Sequence, residues 1–131
     1  MTLKILLAGT CFGLVVMMSP AAIAADAAAG KKVFNKCRAC HDAENEKNKV
    51  GPHLVGAVGR TAGSLEDFQP RYSANMKEAG AGGLVWDEEN LAAYLRNPKD
   101  VIPKGKMAFP GLKDDEDIAN VIAYLQADPK P

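Results

Sequence analysis

The chain has 131 residues, with 16 Lys plus Arg against 16 Asp plus Glu and a formal net charge of zero. That length holds one domain, and the balanced charge argues against nucleic acid as a partner. Three cysteines, one of them Cys11 near the N-terminus, are too few for a disulfide framework.

The chain opens on a short cationic stretch ending at Lys4, runs apolar from Ile5 to Met18, and breaks at Ser19-Pro20 before an alanine-rich tract. This is the layout of a secretory signal peptide. Residues 1–24 are therefore expected to be removed after Ala22-Ile23-Ala24, leaving 25–131 as the exported domain. The apolar run is short for a membrane span, which favours cleavage over an anchor. Cys11 lies inside that run and leaves with it, so Cys37 and Cys40 are the only thiols left after export.

A first helix is predicted from about Asp26, a possible cap, through Cys40, with Gly30, Val33, Phe34 and Cys37 at helical spacing. "YSANMKEAG" has the makings of a short helix ended by Gly80. Asp87 caps the next pattern, in which Leu91, Tyr94 and Leu95 form one face and Asn97-Pro98 is the stop. Asp114 caps the last, where Ile118, Val121, Ile122 and Leu125 fall at i, i+3, i+4 and i+7. No stretch alternates as a strand, so the fold class is all-α. The intervals from Asn48 to Pro70 and from Asn97 to Lys113 are long for structureless loops, and loops of that length need something to wrap around.

The first helical pattern runs into "CRACH", residues 37–41. On a helical turn, residues three and four apart share a face, so both thiols and His41 can address one object. A zinc site needs four ligands, and the only other histidine is His53. A thioredoxin-like pair needs a preceding strand, which is missing here. Covalent haem attachment uses all three residues, since each thiol adds to a haem vinyl group while the adjacent histidine is delivered to the iron. The second axial ligand has three candidates in the exported chain: Met76, Met107 and His53. Met107 is favoured, because Pro103 and Pro110 stiffen the loop that carries it. Met76 fits an apolar position of the short helix. His53 follows Gly51-Pro52 closely and reads as a surface or loop histidine on the same side as His41.

"CRACH", "GPHLVGAVGR", "YSANMK", the Trp86 to Tyr94 helix, "NPKDVIPKGKMAFPG" and "VIAYL" together give the chain a resemblance to the class I cytochromes c, over about Gly30 to Gln126. Within them it resembles the soluble bacterial proteins close to the mitochondrial type. The resemblance implies crossed N- and C-terminal helices with loops wrapping one haem c, bound through two thioether bonds. Cys37 and Cys40 look like the thioether pair, His41 the proximal ligand and Met107 the distal sulfur. Pro52 looks like the residue whose carbonyl accepts the Nδ1–H of the ligand histidine. Arg60, Tyr72 and Trp86 match groups that surround a haem propionate, and Tyr94 matches the tyrosine near the methionine. Gly30 and Phe34 match the helix crossing, where Tyr124 and Leu125 would meet them. Three departures stand out: one residue fewer between Phe34 and Cys37, a longer loop from Arg60 to Tyr72, and the insertion "AGAGG" before Trp86. Gly105 also stands where a threonine is common.

The function that follows is periplasmic one-electron transfer by a monomeric carrier rather than an enzyme. Two other readings remain: a haem subunit fixed within a larger dehydrogenase, and a haem peroxidase or gas-binding protein with an open distal site. Expected partners are redox proteins with acidic docking faces, such as a membrane oxidoreductase, reaction centre, oxidase or periplasmic dehydrogenase. Membrane contact would come only through them. Lys36, Lys49, Lys99, Lys104 and Lys106 are expected to rim the exposed haem edge, while the acids at 87–89 and 114–117 serve helix N-termini.

Overall fold

Asp26 stops the chain from fraying at its start: its carboxylate accepts from the backbone N–H groups of Ala28 and Ala29, two donors that helix geometry leaves unpaired. The computed structural model describes residues 24–131, so Cys11 and all but the last residue of the expected signal peptide lie outside the described residues. Among the described residues five α-helices follow in order: α1 (Ala27–Phe34), α2 (Ala74–Ala81), α3 (Glu88–Arg96), α4 (Pro98–Val101) and α5 (Asp115–Gln126). A 3₁₀ segment, Glu66–Arg71, precedes α2. Among the described residues no strand forms, and only an isolated antiparallel bridge joins Thr61 to Val85. None of the described helices is long and apolar enough to cross a membrane.

The principal packing is between the first and last of the described helices. Helix α1 turns Gly30, Val33 and Phe34 inward onto α5, whose Ile118, Val121, Ile122, Tyr124 and Leu125 are buried. The Phe34 and Tyr124 rings meet at 5.3 Å between centroids, tilted by 47°. Gly30 is required at the crossing, because an ideal Cβ there would lie 1.9 Å from the Asn120 carbonyl oxygen. The Asn120 side chain adds a tie, its Oδ1 accepting from the Asp26 N–H at 2.7 Å. Helix α3 packs on both α4 and α5. Leu112 N–H, donating to Leu95 O at 2.8 Å, returns the chain from the Met107 loop to α3.

The regular part of α1 stops at Phe34 rather than running through Cys40. Beyond Asn35 the bonds tighten to i→i+3, with Lys36 N–H on Val33 O and Cys37 N–H on Phe34 O, a common way for a helix to finish. Helical curvature nevertheless continues, since Arg38 N–H reaches Phe34 O and His41 N–H reaches Cys37 O at 3.0 Å. Pro98 ends α3 and also begins α4, a role it can fill because the first helical residue needs no N–H partner. The loop after "CRACH" folds back on it, Gly51 N–H donating to Cys40 O at 2.8 Å.

Candidate haem site

Cys37 and Cys40 are free thiols, each half-buried. They lie on the turn closed by Cys40 N–H and His41 N–H, both of which donate to Cys37 O. Burial raises the Cys37 thiol above its ordinary range, and nearby Lys36 works against that rise. At neutral pH the Cys37 sulfur is therefore held as a thiol.

His41 is oriented by the loop that follows it. Its Nδ1 lies 2.8 Å from the Pro52 carbonyl oxygen, and since that oxygen can only accept, Nδ1 carries the proton. The lone pair is thereby left on Nε2, the atom that would face a metal. Burial lowers the basicity of the ring, and the Pro52 bond partly offsets this, so the imidazole is neutral and able to ligate. Gly51 makes the fit possible: an ideal Cβ there would sit 2.3 Å from His41 Cε1. The backbone at Gly51 is a cradle that any side chain would fill.

Backbone pairing gathers the polar residues. Trp86 N–H donates to Arg60 O at 2.8 Å and Gly59 N–H to Trp86 O at 2.7 Å, which fixes Arg60 beside Trp86. The Arg60 guanidinium donates from Nη1 to His53 O at 3.1 Å and from Nη2 to Val55 O. Tyr72 lies close enough for Arg60 to pull against the rise in pKa that burial imposes on its phenol. Trp86 in turn meets Tyr94, ring centroids 4.7 Å apart. Tyr94 Oη is 4.0 Å from Met107 Sδ, within reach of a weak O–H···S contact. Burial pushes the Tyr94 phenol up to about 12, so it stays protonated and able to donate to that sulfur.

The residues singled out from sequence thus form three linked groups: Cys37, Cys40, His41 and Pro52; Arg60, Tyr72 and Trp86; and Trp86, Tyr94 and Met107. Met76 is partly buried and packs against the hydrophobic core, as expected of an apolar helix position. His53 differs from expectation. It is on a loop but only 5% exposed, because its N–H is held by Asn48 Oδ1 at 2.9 Å and its carbonyl by Arg60. Its Nδ1 has no partner. Sequence reading also passed over Gly51 as a cradle and Arg71 as a clamp on the same loop. The only available signals for them were a glycine before proline and an arginine in the lengthened loop.

A flat, largely apolar, metal-containing group fits this residue set. Two thiols and an imidazole with a free Nε2 stand on one turn. A thioether sulfur lies on a separate loop. Leu54, Val58, Leu84, Tyr94, Leu95 and Phe109 are apolar yet only partly buried, surface that such a group would cover.

Comparison with known proteins agrees with this chemistry. The family model described as cytochrome c matches residues 27–127. Cytochrome c2 of Afifella marina is 55% identical over 100 residues, covering 76% of this chain and 79% of that protein. Among solved structures, cytochrome c2 from Rhodobacter sphaeroides superposes with a TM-score of 0.71 at 42% identity, covering 78% of this chain and 94% of the other. Cytochrome cH from Methylobacterium extorquens gives 0.67 at 43% identity, covering 77% and 97%.

Proposed function

Because the chain belongs to the cytochrome c family, we propose that it is a periplasmic one-electron carrier whose haem iron is held between His41 and Met107. Membership brings a class I fold, a covalently bound haem c and the role of an electron carrier rather than an enzyme. The compartment, the axial pair and the individual site residues are our reading. Residues 1–24 would be the export signal that delivers the chain to an oxidising compartment.

One observation carries the ligand assignment. His41, next to Cys40, has its Nδ1–H committed to Pro52 O, which leaves Nε2 as the donor. When bound, the haem supplies the one-electron couple. The chain supplies everything that tunes it. Cys37 and Cys40 would hold the ring edge in place through thioether bonds. Pro52 holds the imidazole plane, and Tyr94 favours one orientation of the Met107 sulfur by donating to it. A thioether is a soft ligand that favours the reduced state. If His41 and Met107 both held the iron, no position would be left for a substrate, which is why a carrier is preferred to a peroxidase or a gas-binding protein. Arg60, Tyr72 and Trp86 would place donors around a carboxylate of the cofactor. The transient redox partners of such a carrier would meet it at the lysine-bearing edge described above.

Optical spectra of the purified protein test the axial pair. The ferric protein is expected to show the weak long-wavelength band of an iron–thioether bond. Met107→Ala should abolish that band and open the iron to carbon monoxide, while Met76→Ala should leave it intact. The reverse pattern would assign the ligand to Met76 instead.

A further inference from the structure

The 3₁₀ segment Glu66–Arg71 lies in the stretch that is longer than in the mitochondrial type, and it ends on a side chain the mechanism above leaves unused. The Arg71 guanidinium sits over the Phe68 ring, 4.4 Å from its centroid, and Phe68 is itself only 4% exposed. From this base Arg71 Nη2 donates to two backbone carbonyls, those of Lys49 and Val50, the second at 3.1 Å. Four residues before Arg71, Asp67 accepts from Asn48 Nδ2 at 2.8 Å. Asn48 Oδ1 then accepts from His53 N–H at 2.9 Å. One short segment therefore grips the loop from residue 48 to residue 53 at two places. Inside the gripped stretch are Gly51, packed against the His41 ring, and Pro52, whose carbonyl takes the Nδ1–H.

We infer that Arg71 is a positioning residue: by holding the Lys49 and Val50 carbonyls it presses the Gly51-Pro52 turn onto His41 and sets the strength of the Nδ1–H···O=C bond. The inference rests on His41 as the proximal ligand. Hydrogen bonds from a guanidinium are stronger than neutral ones, so two of them on consecutive carbonyls fix the turn better than loop packing alone. A tightly held Pro52 carbonyl makes the ring a better electron donor and favours the oxidised iron. Loosening the turn favours the reduced state. Simple removal of a nearby positive charge works in the opposite direction, because it makes an oxidised, more positive centre easier to form. The sign of the effect separates positioning from charge.

The test uses the purified haem-loaded protein, with two readouts: the midpoint potential, and the exchange of the His41 Nδ1 proton with deuterium followed by NMR. In Arg71→Gln the exchange should quicken several-fold. The reduction equilibrium should move by about threefold toward the reduced form, a tenfold move being about 59 mV for a one-electron couple. Arg71→Lys should recover part of both effects, since an ammonium can reach one carbonyl. Asn48→Ala changes no charge yet releases the other grip, and should move both readouts the same way. Lys77→Gln, on exposed helix α2, gives the effect of losing a cation alone. Arg71→Gln moving the potential in the direction and by the amount of Lys77→Gln, with proton exchange unchanged, would overturn the inference whatever happens to thermal stability. Failure of the ligand assignment would appear separately, as the absence of His41 ring signals among the hyperfine-shifted resonances of the unmutated ferric protein.

Discussion

An ideal Cβ on Gly30 would meet the Asn120 carbonyl oxygen at 1.9 Å and Tyr124 Cβ at 2.8 Å, and neither backbone nor buried ring can move aside cheaply. Gly30→Ala is therefore expected to cost about 3 kcal/mol, at the upper end for overpacking. A urea midpoint equal to that of the unmutated protein would show that the crossing tolerates a methyl group. Spacing put Gly30 on one face of the first helix, and the family resemblance placed Tyr124 and Leu125 opposite it. Asn120 escaped notice because a polar residue on an apolar face carries no periodic signal. His53 was misread for a related reason: its burial follows from hydrogen bonds to Asn48 and Arg60 that spacing does not reveal. A pH prediction also sits at this scale. Tyr94 and Tyr124 are both pushed up to about 12, Tyr94 by burial and Tyr124 by burial and by donation to Glu44. Their ordinary value is 10, so both phenols keep the folded state at full strength below pH 10. Above pH 10 the unfolded chain ionises first, and stability should fall until about pH 12, by roughly 2–3 kcal/mol for each phenol. Tyrosinate absorbance followed against pH checks this, and ionisation of all three tyrosines near pH 10 would contradict it.

Helix ends were the most legible features of the elements. Asp26, Asp87 and Asp114 each accept backbone N–H groups from the first turn, as their positions before apolar-periodic runs predicted. The Asp114 carboxylate takes Glu116 N–H at 2.8 Å and Asp117 N–H at 3.2 Å, and Asp114→Ala should cost about 1 kcal/mol. Thermal melts of that variant, beside Asp114→Asn, which can still accept, would reveal the cap; equal losses would assign the effect to charge instead. The 3₁₀ segment and α4 were not read from sequence. Each is a single short stretch containing a proline, with too few residues to display a period. The turn after Phe34 was taken for continuous helix because helical spacing survives in it. Its hydrogen bonds tighten while its side chains keep nearly the same face.

At the scale of the whole molecule, the five lysines expected to rim the haem edge do not all remain free. Lys36 pairs with Asp117 at 3.3 Å, so part of its charge is cancelled locally. Lys106 donates to Arg71 O at 3.0 Å and Lys49 to Arg38 O at 2.7 Å, contacts that fix the ammonium groups without neutralising them. Electron transfer to an acidic partner should therefore slow as salt rises, the Debye length shrinking from about 30 Å at 0.01 M to about 10 Å at 0.1 M. Lys104→Glu should flatten that dependence more than Lys36→Glu, whose starting charge is already paired. Stopped-flow rates across a salt series measure both, and a rate indifferent to salt would leave the exposed Val50 as the better docking feature. The packing of α1 on α5 has a consequence in time. A ribosome releases the amino end first, so α1 and "CRACH" emerge while their partner helix, at the far end of the sequence, has yet to be made. Until α5 is made, the Val33 and Phe34 face of α1 lacks its partner, although the nearby Gly51-Pro52 turn can already dock on Cys40 and His41. The order of synthesis thus leaves the helix that leads into both thiols without its partner until late, and a chain shortened by α5 should leave it so.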